Sequence, residues 1–146
     1  MKNRHFAYFD TSIWLKLYVR ENGSDEARSL AKKHFILSSA LLLTECFSAL
    51  SRKKMAGELD ARSLQRLTKW IREDVSSLEI IEVSRSVLGK SQELVLKSAT
   101  RTLDAIHIAS AILFRELIEV PILFATSDRK QFGAAQQQGL NALFVG

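Results

Sequence analysis

The feature that most constrains this chain is a regular alternation. Short apolar segments are separated by stretches long enough to be helices, from one end to the other. Residues 6–9, 35–37, 78–83, 120–125 and 143–145 read as strands. Between them, residues 13–19, 25–33, about 39–55, 61–75, 85–97, 103–117 and 128–139 read as helices. Ser24, Ser38 or Ser39, Ser84 and Thr102 are the expected helix openers, and the Asp10-Thr11-Ser12 run closes the first strand with a helix cap. Pro121 stands at the start of its strand, where a missing N–H costs least. Strands that alternate with helices in this way build a parallel sheet covered by helices on both faces, an α/β three-layer sandwich.

Composition fits one such unit over residues 1–146. The chain is 47% hydrophobic and 25% charged, with six glycines and one proline, which excludes disorder and collagen-like repeats. Twenty-one Lys and Arg against 16 Asp and Glu give a net charge of +5, a balance that favours a polyanionic partner. The single cysteine, Cys46, cannot form an intramolecular disulfide and suits a reducing compartment. The basic start at residues 1–5 resembles a signal n-region, but the apolar run after it stops at Asp10, too early for a signal peptide. No stretch reads as membrane-spanning, so the expected location is the cytoplasm.

Four acids sit in apolar surroundings. Asp10 follows the first strand directly and Asp128 follows the fourth. Glu45 lies inside the apolar 35–51 run, and Asp104 is the only formally charged residue between Thr102 and Phe114. At helical spacing, Glu45 shares a face with Leu41, Leu42, Ser48 and Ala49, and Asp104 shares one with His107, Ile108 and Ala111. A buried, unpaired carboxylate costs several kcal/mol at least by order of magnitude, so such groups need compensation. Sites in open parallel sheets form beyond the carboxyl ends of strands. If the helices carrying Glu45 and Asp104 start at that edge, all four acids converge. Gathered carboxylates raise one another's pKa unless a cation joins them, and oxygen donors without a Cys or His cluster suit Mg²⁺ or Mn²⁺.

Structural roles compete with this reading at each position. Asp10 and Asp128 have the form of N-caps, Glu45 of half a buried ion pair, and Asp104 of first-turn helix decoration. His107, one turn from Asp104, reads as a packing histidine with a local hydrogen bond. Cys46, Trp14, Leu17 and Tyr18 read as core, and Trp70 less strongly so.

The runs Tyr8-Phe9-Asp10-Thr11-Ser12, Ser39-Ala40-Leu41-Leu42-Leu43-Thr44-Glu45, Arg101 to Ala111 and Ala125 to Phe132 together resemble the PIN domain, and most closely the toxin ribonucleases of the VapC type. The resemblance spans nearly the whole chain, and the segment from Leu103 to Ala111 is its most specific piece. It implies an α/β/α sandwich and an acidic Mg²⁺ site built from Asp10, Glu45, Asp104 and Asp128. In that site Ser12 supports the first acid, and Thr126 is the polar residue two before the fourth. It implies RNA cleavage, an antitoxin that silences it, and a homodimer. A divalent ion can lower the pKa of a bound water and stabilise charge on a phosphodiester, giving a 5′-phosphate and a 3′-hydroxyl. Asp10 and Asp104 are the first choices as metal ligands. Asp128 completes the shell or holds a second ion, and Glu45 binds through water or orients the attacking water.

An acidic pocket repels RNA, so cations must flank it. Arg101, Arg129 and Lys130 are the candidates, the last two at a helix N-terminus, while the Arg52-Lys53-Lys54 run reads equally well as a solvated face. Two other functions compete. An aspartyl-phosphate mechanism could use Asp10, but Ser12 stands where haloacid dehalogenase-type phosphatases carry a second Asp. A non-catalytic binding module could keep the fold for RNA or protein contact. There is no Gly-rich phosphate loop and no Gly-x-Ser-x-Gly elbow.

Overall fold

The computed structural model describes residues 5–146; the start of the basic N-terminal run, residues 1–4, lies outside them. Among the described residues five strands form one sheet: β1 (His5–Phe9), β2 (His34–Ser39), β3 (Glu79–Ile81), β4 (Ile122–Thr126) and β5 (Asn141–Phe144). Their order is β3-β2-β1-β4-β5, and each neighbouring pair is parallel. Seven helices among these residues connect them: α1 (Thr11–Leu15), α2 (Ser24–Lys33), α3 (Leu42–Met55), α4 (Ala61–Val75), α5 (Arg85–Ser98), α6 (Thr102–Ile118) and α7 (Arg129–Gln137).

Side-chain alternation along each strand divides the core in two. Tyr8, Leu37, Ile122 and Phe124 point to one face and pack with Val87, Leu94, Ile108 and Ala135 of α5, α6 and α7. Ala7, Phe9 and Ala125 point to the other and pack with Ile13, Ala27, Leu50 and Ile71 of α1 to α4. The expected three-layer sandwich is therefore the observed one. Among the described residues, no helix is long and apolar enough to cross a membrane.

Several local expectations are corrected. The first helix ends at Leu15 rather than Val19, because the backbone bonds tighten to three-residue spacing, from Lys16 N, Leu17 N and Tyr18 N to Ile13 O, Trp14 O and Leu15 O, and the buried Lys16 side chain holds the following loop through Asn22 O at 2.5 Å. Gly23, not Ser24, is the N-cap of α2. Its φ of +87° and the 2.9 Å between a would-be Cβ and Val145 Cγ1 admit only glycine. The Ser24 hydroxyl bonds back to Val19 O instead. Ser38 and Ser39 end β2 instead of opening a helix, and α3 begins at Leu42. Trp70 is 47% exposed, with the Arg66 guanidinium over its ring.

Sheet order places the site. From β1 the chain runs outward through β2 and β3, then returns to the other side of β1 as β4 and β5. The crevice at the carboxyl ends of β1 and β4 lies where the order reverses, the position where open α/β sheets bind ligands. α3 leaves the carboxyl end of β2. α6 leads into the start of β4, so its own N-terminus lies at the same edge.

Candidate active site

One pocket of about 660 Å³ opens at this edge, and Asp10, Glu45, Asp104 and Asp128 all line it. Each acid is delivered by a helix start. Asp10 caps α1, accepting from Ile13 N at 3.1 Å, and Asp128 caps α7, accepting from Gln131 N at 3.0 Å. Glu45 and Asp104 sit in the first turns of α3 and α6. The capping roles and the convergence hold together, because the positive ends of these helices favour carboxylates.

Asp10 is the most enclosed of the four, at 2% exposure. Its Oδ1 accepts from Ser12 Oγ at 2.6 Å as well as from Ile13 N. Its Oδ2 accepts from Thr126 Oγ1 at 2.5 Å and keeps one lone pair for another partner. Thr126, fully buried at the end of β4, also accepts from Asp128 N at 3.0 Å, so one hydroxyl ties the first acid to the fourth. Ser12 accepts from Ser127 N, locking the two loops together a second time. Burial pushes the Asp10 carboxyl above its ordinary value, and the Ser12 and Thr126 hydrogen bonds hold it back.

Glu45 is held by one oxygen. Oε1 accepts from Thr11 Oγ1 at 2.9 Å and meets His107 Nε2 at 2.5 Å. Partial burial raises its pKa, but His107 and Thr11 outweigh that and bring it below the ordinary carboxylate value. His107 is itself buried, and its Nδ1 lies 2.6 Å from the Tyr8 hydroxyl. Burial, with the charges of Asp10 and Glu45 nearby, keeps the Tyr8 phenol well above its usual pKa and therefore protonated. An ionised Glu45 can only accept, so Nε2 carries the hydrogen given to it, and Nδ1 pairs with the Tyr8 hydroxyl. His107 is thus a long-range link between β1 and α3, not a locally bonded packing residue. The only signal in the sequence was its one-turn spacing from Asp104.

Asp104 and Asp128 are joined by Arg101. Its Nε donates to Asp104 Oδ2 at 3.0 Å and its Nη2 to Asp128 Oδ2 at 3.2 Å. Arg129 and Lys130 stand at the start of α7 beside a second, smaller pocket that shares Arg101 and Asp104 with the first. The Arg129 guanidinium stacks 3.8 Å from the centre of the Phe144 ring. Arg52 lines the acidic pocket and bonds to Ser48. Cys46 is buried in the core, and burial pushes its thiol up to about 12.

The sequence model of the PIN domain matches residues 7–136. The chain belongs to the PIN domain family. PIN domains are generally nucleases and generally use divalent metals. Solved structures share the fold. A toxin–antitoxin complex from Klebsiella pneumoniae contains a chain with 23% identity and a TM-score of 0.62, covering 86% of this chain and 89% of that one. VapBC2 from Rickettsia felis, bound to a DNA fragment from its promoter, gives 17% identity and 0.66 over 97% and 99%. A protein from Pyrobaculum aerophilum gives 15% and 0.63 over 90% and 84%. No curated protein matches by sequence.

The donor chemistry of the pocket fits the family's metal. The four acids offer carboxylate oxygens, the ligands hard divalent cations prefer. As the side chains stand, no three His, Cys, Asp or Glu groups among the described residues are close enough to share one ion. Closure around a cation therefore requires side-chain movement, and Asp104 and Asp128 are already drawn together by the Arg101 guanidinium.

Proposed function

We propose that this protein is a Mg²⁺- or Mn²⁺-dependent ribonuclease that cuts RNA internally, working in the cytoplasm as the toxin of a toxin–antitoxin pair and as a homodimer. The observation that carries this reading is the meeting of Asp10, Glu45, Asp104 and Asp128, from four separate helix starts, in one pocket of a PIN domain. The antitoxin rests on the likeness to the Klebsiella and Rickettsia chains, whose structures are toxin–antitoxin complexes.

In this reading Asp10 and Asp104 would hold the cation, with Asp128 as a further ligand. The ion supplies an acidified water and charge stabilisation at the phosphodiester. Ser12 and Thr126 fix both oxygens of Asp10, so the first ligand does not have to be ordered when substrate arrives. Glu45 takes the proton of the attacking water. His107, buried and anchored on Tyr8, holds Glu45 in place and disperses the charge it presents. Lys130 and Arg129 bind backbone phosphates beside the cleavage point and offset the repulsion between acidic pocket and RNA.

The test is cleavage of a mixed RNA pool by the purified chain, with Mg²⁺ and with EDTA. Wild type should produce fragments ending in 5′-phosphate only with Mg²⁺, and Asp104→Asn should produce none. A second reading is a non-catalytic binding module, favoured by the neutralisation of Asp104 and Asp128 by Arg101. RNA binding by wild type without cleavage under any divalent ion would select it.

A further inference from the structure

Arg101 is placed unlike the other cations near the pocket. It precedes α6, three residues before Asp104, with extended backbone that aims its side chain along the first helical turn. The guanidinium spans two acids from distant parts of the chain. Nη2 lies 2.9 Å from Asp104 Oδ2 and 3.2 Å from Asp128 Oδ2. Among the described residues it is the one cation that pairs with either acid. Arg52 lines the same pocket with the same charge, yet its guanidinium bonds to the Ser48 hydroxyl.

The two ends of this bridge differ in exposure. Asp104 is 17% exposed and Asp128 34%, both on helix starts that fix their backbones, whereas the Arg101 side chain is 66% exposed. The acids are held by their helices, while the guanidinium stands mostly in solvent. Exposed ion pairs are weak, because each partner is well hydrated when apart. Asp128 Oδ1 caps α7, so Oδ2, the oxygen Arg101 occupies, is the one that acid has left for a cation.

We propose that Arg101 is a built-in counterion that a divalent cation displaces: it neutralises Asp104 and Asp128 before metal binds, and metal and guanidinium compete for the same two carboxylates. The proposal rests on the reading of the pocket as a metal site. It gives Arg101 a positioning role distinct from the phosphate contacts assigned to Lys130 and Arg129. Without metal, the guanidinium keeps the two acids from repelling each other. With metal, it swings outward at the mouth of the pocket, where a phosphate can take it up.

The test measures metal affinity alone. Mn²⁺ is titrated into purified wild type, Arg101→Gln, Arg101→Lys, Arg52→Gln and Asp104→Asn at low salt and fixed pH, and free ion is read from its electron paramagnetic resonance signal. Competition by one exposed bridge should cost the ion about 3–10-fold in affinity, the range of a few weak exposed contacts. Arg101→Gln should therefore bind Mn²⁺ about 3–10-fold more tightly than wild type. Arg101→Lys, which keeps the charge but loses the fork, should fall between them. Arg52→Gln removes an equal charge from the same pocket and should change affinity less than twofold. Equal tightening by Arg52→Gln and Arg101→Gln would reduce the effect to net charge and overturn the proposal. Saturable binding by wild type that Arg101→Gln leaves unchanged would overturn it while leaving the metal site standing. If neither wild type nor Arg101→Gln binds, or if Asp104→Asn binds as wild type does, the metal reading fails and the displacement with it.

Discussion

Replacing Thr126 by Val tests how the site is tied to the fold. The two side chains are nearly isosteric, and both suit the end of a strand, so packing around this fully buried residue is kept. What is lost is the hydroxyl. Asp10 Oδ2 loses the only hydrogen bond it accepts among the described residues, and Asp128 N loses its acceptor. An unsatisfied buried polar group costs about 1–3 kcal/mol, with charged groups at the upper end. Asp128 is partly exposed, and water relieves some of its share. The sum is about 2–4 kcal/mol, and at roughly 2–4 °C per kcal/mol for a chain of this size the melting temperature should fall by about 5–15 °C. Thr126→Ser keeps the hydroxyl and removes one methyl group, which costs about 0.5–1.5 kcal/mol by comparison with Ile→Val. Urea denaturation of the three proteins at pH 7.5 in EDTA measures these differences. The Val variant should also lose part of its deficit at lower pH, where Asp10 takes up a proton and no longer needs as strong a donor. A Thr126→Val protein as stable as Thr126→Ser would refute the claim that this hydroxyl couples the first and fourth acids.

Asp10→Asn separates function from stability. The buried carboxyl titrates above its ordinary 3.8, so the stability it leaves intact at low pH is lost as pH rises through its folded value. In EDTA the Asn variant should lack that loss and melt at or above wild type near neutral pH, while showing no RNA cleavage. A drop of about 3–5 kcal/mol, as for a broken buried ion pair, would contradict this. Cys46, with its thiol near 12, should resist iodoacetamide at pH 8 in the folded protein and react in urea, and mass spectrometry of the two samples decides it. Lys130→Ala should weaken binding of a fluorescent single-stranded RNA and lower its salt slope by about one, whereas Asp104→Asn should leave that slope unchanged.

The architecture was legible because its signals are local. Apolar strands, capping residues such as Ser84, and the alternation between them require only neighbouring residues, and Ser84 caps as such a residue should. Local signals mislead where a distant group intervenes. Leu17 to Val19 continue an apolar pattern, but the backbone tightens into turns after Leu15, and the loop that follows is tied to the buried Lys16 through Asn22 O. The four acids stood out because each is a charge in apolar surroundings. The partners that shape them did not. His107 meets Tyr8 and Glu45 across 99 and 62 residues, and Arg101 meets Asp128 across 27. Only the Arg101–Asp104 pair, at helical spacing, could have been anticipated. From sequence Arg101 reads as a phosphate contact; its bond to Asp128, 27 residues away, is what sequence alone does not show.

Binding of a divalent cation in the carboxylate pocket can be seen by anomalous diffraction from crystals of the protein grown with Mn²⁺. A strong anomalous peak should lie in contact with Asp10 and Asp104, with Asp128 beside it and the Arg101 guanidinium withdrawn from both acids it now bridges. Crystals containing Mn²⁺ that show no peak in this pocket, with Arg101 still joining Asp104 to Asp128, would contradict it.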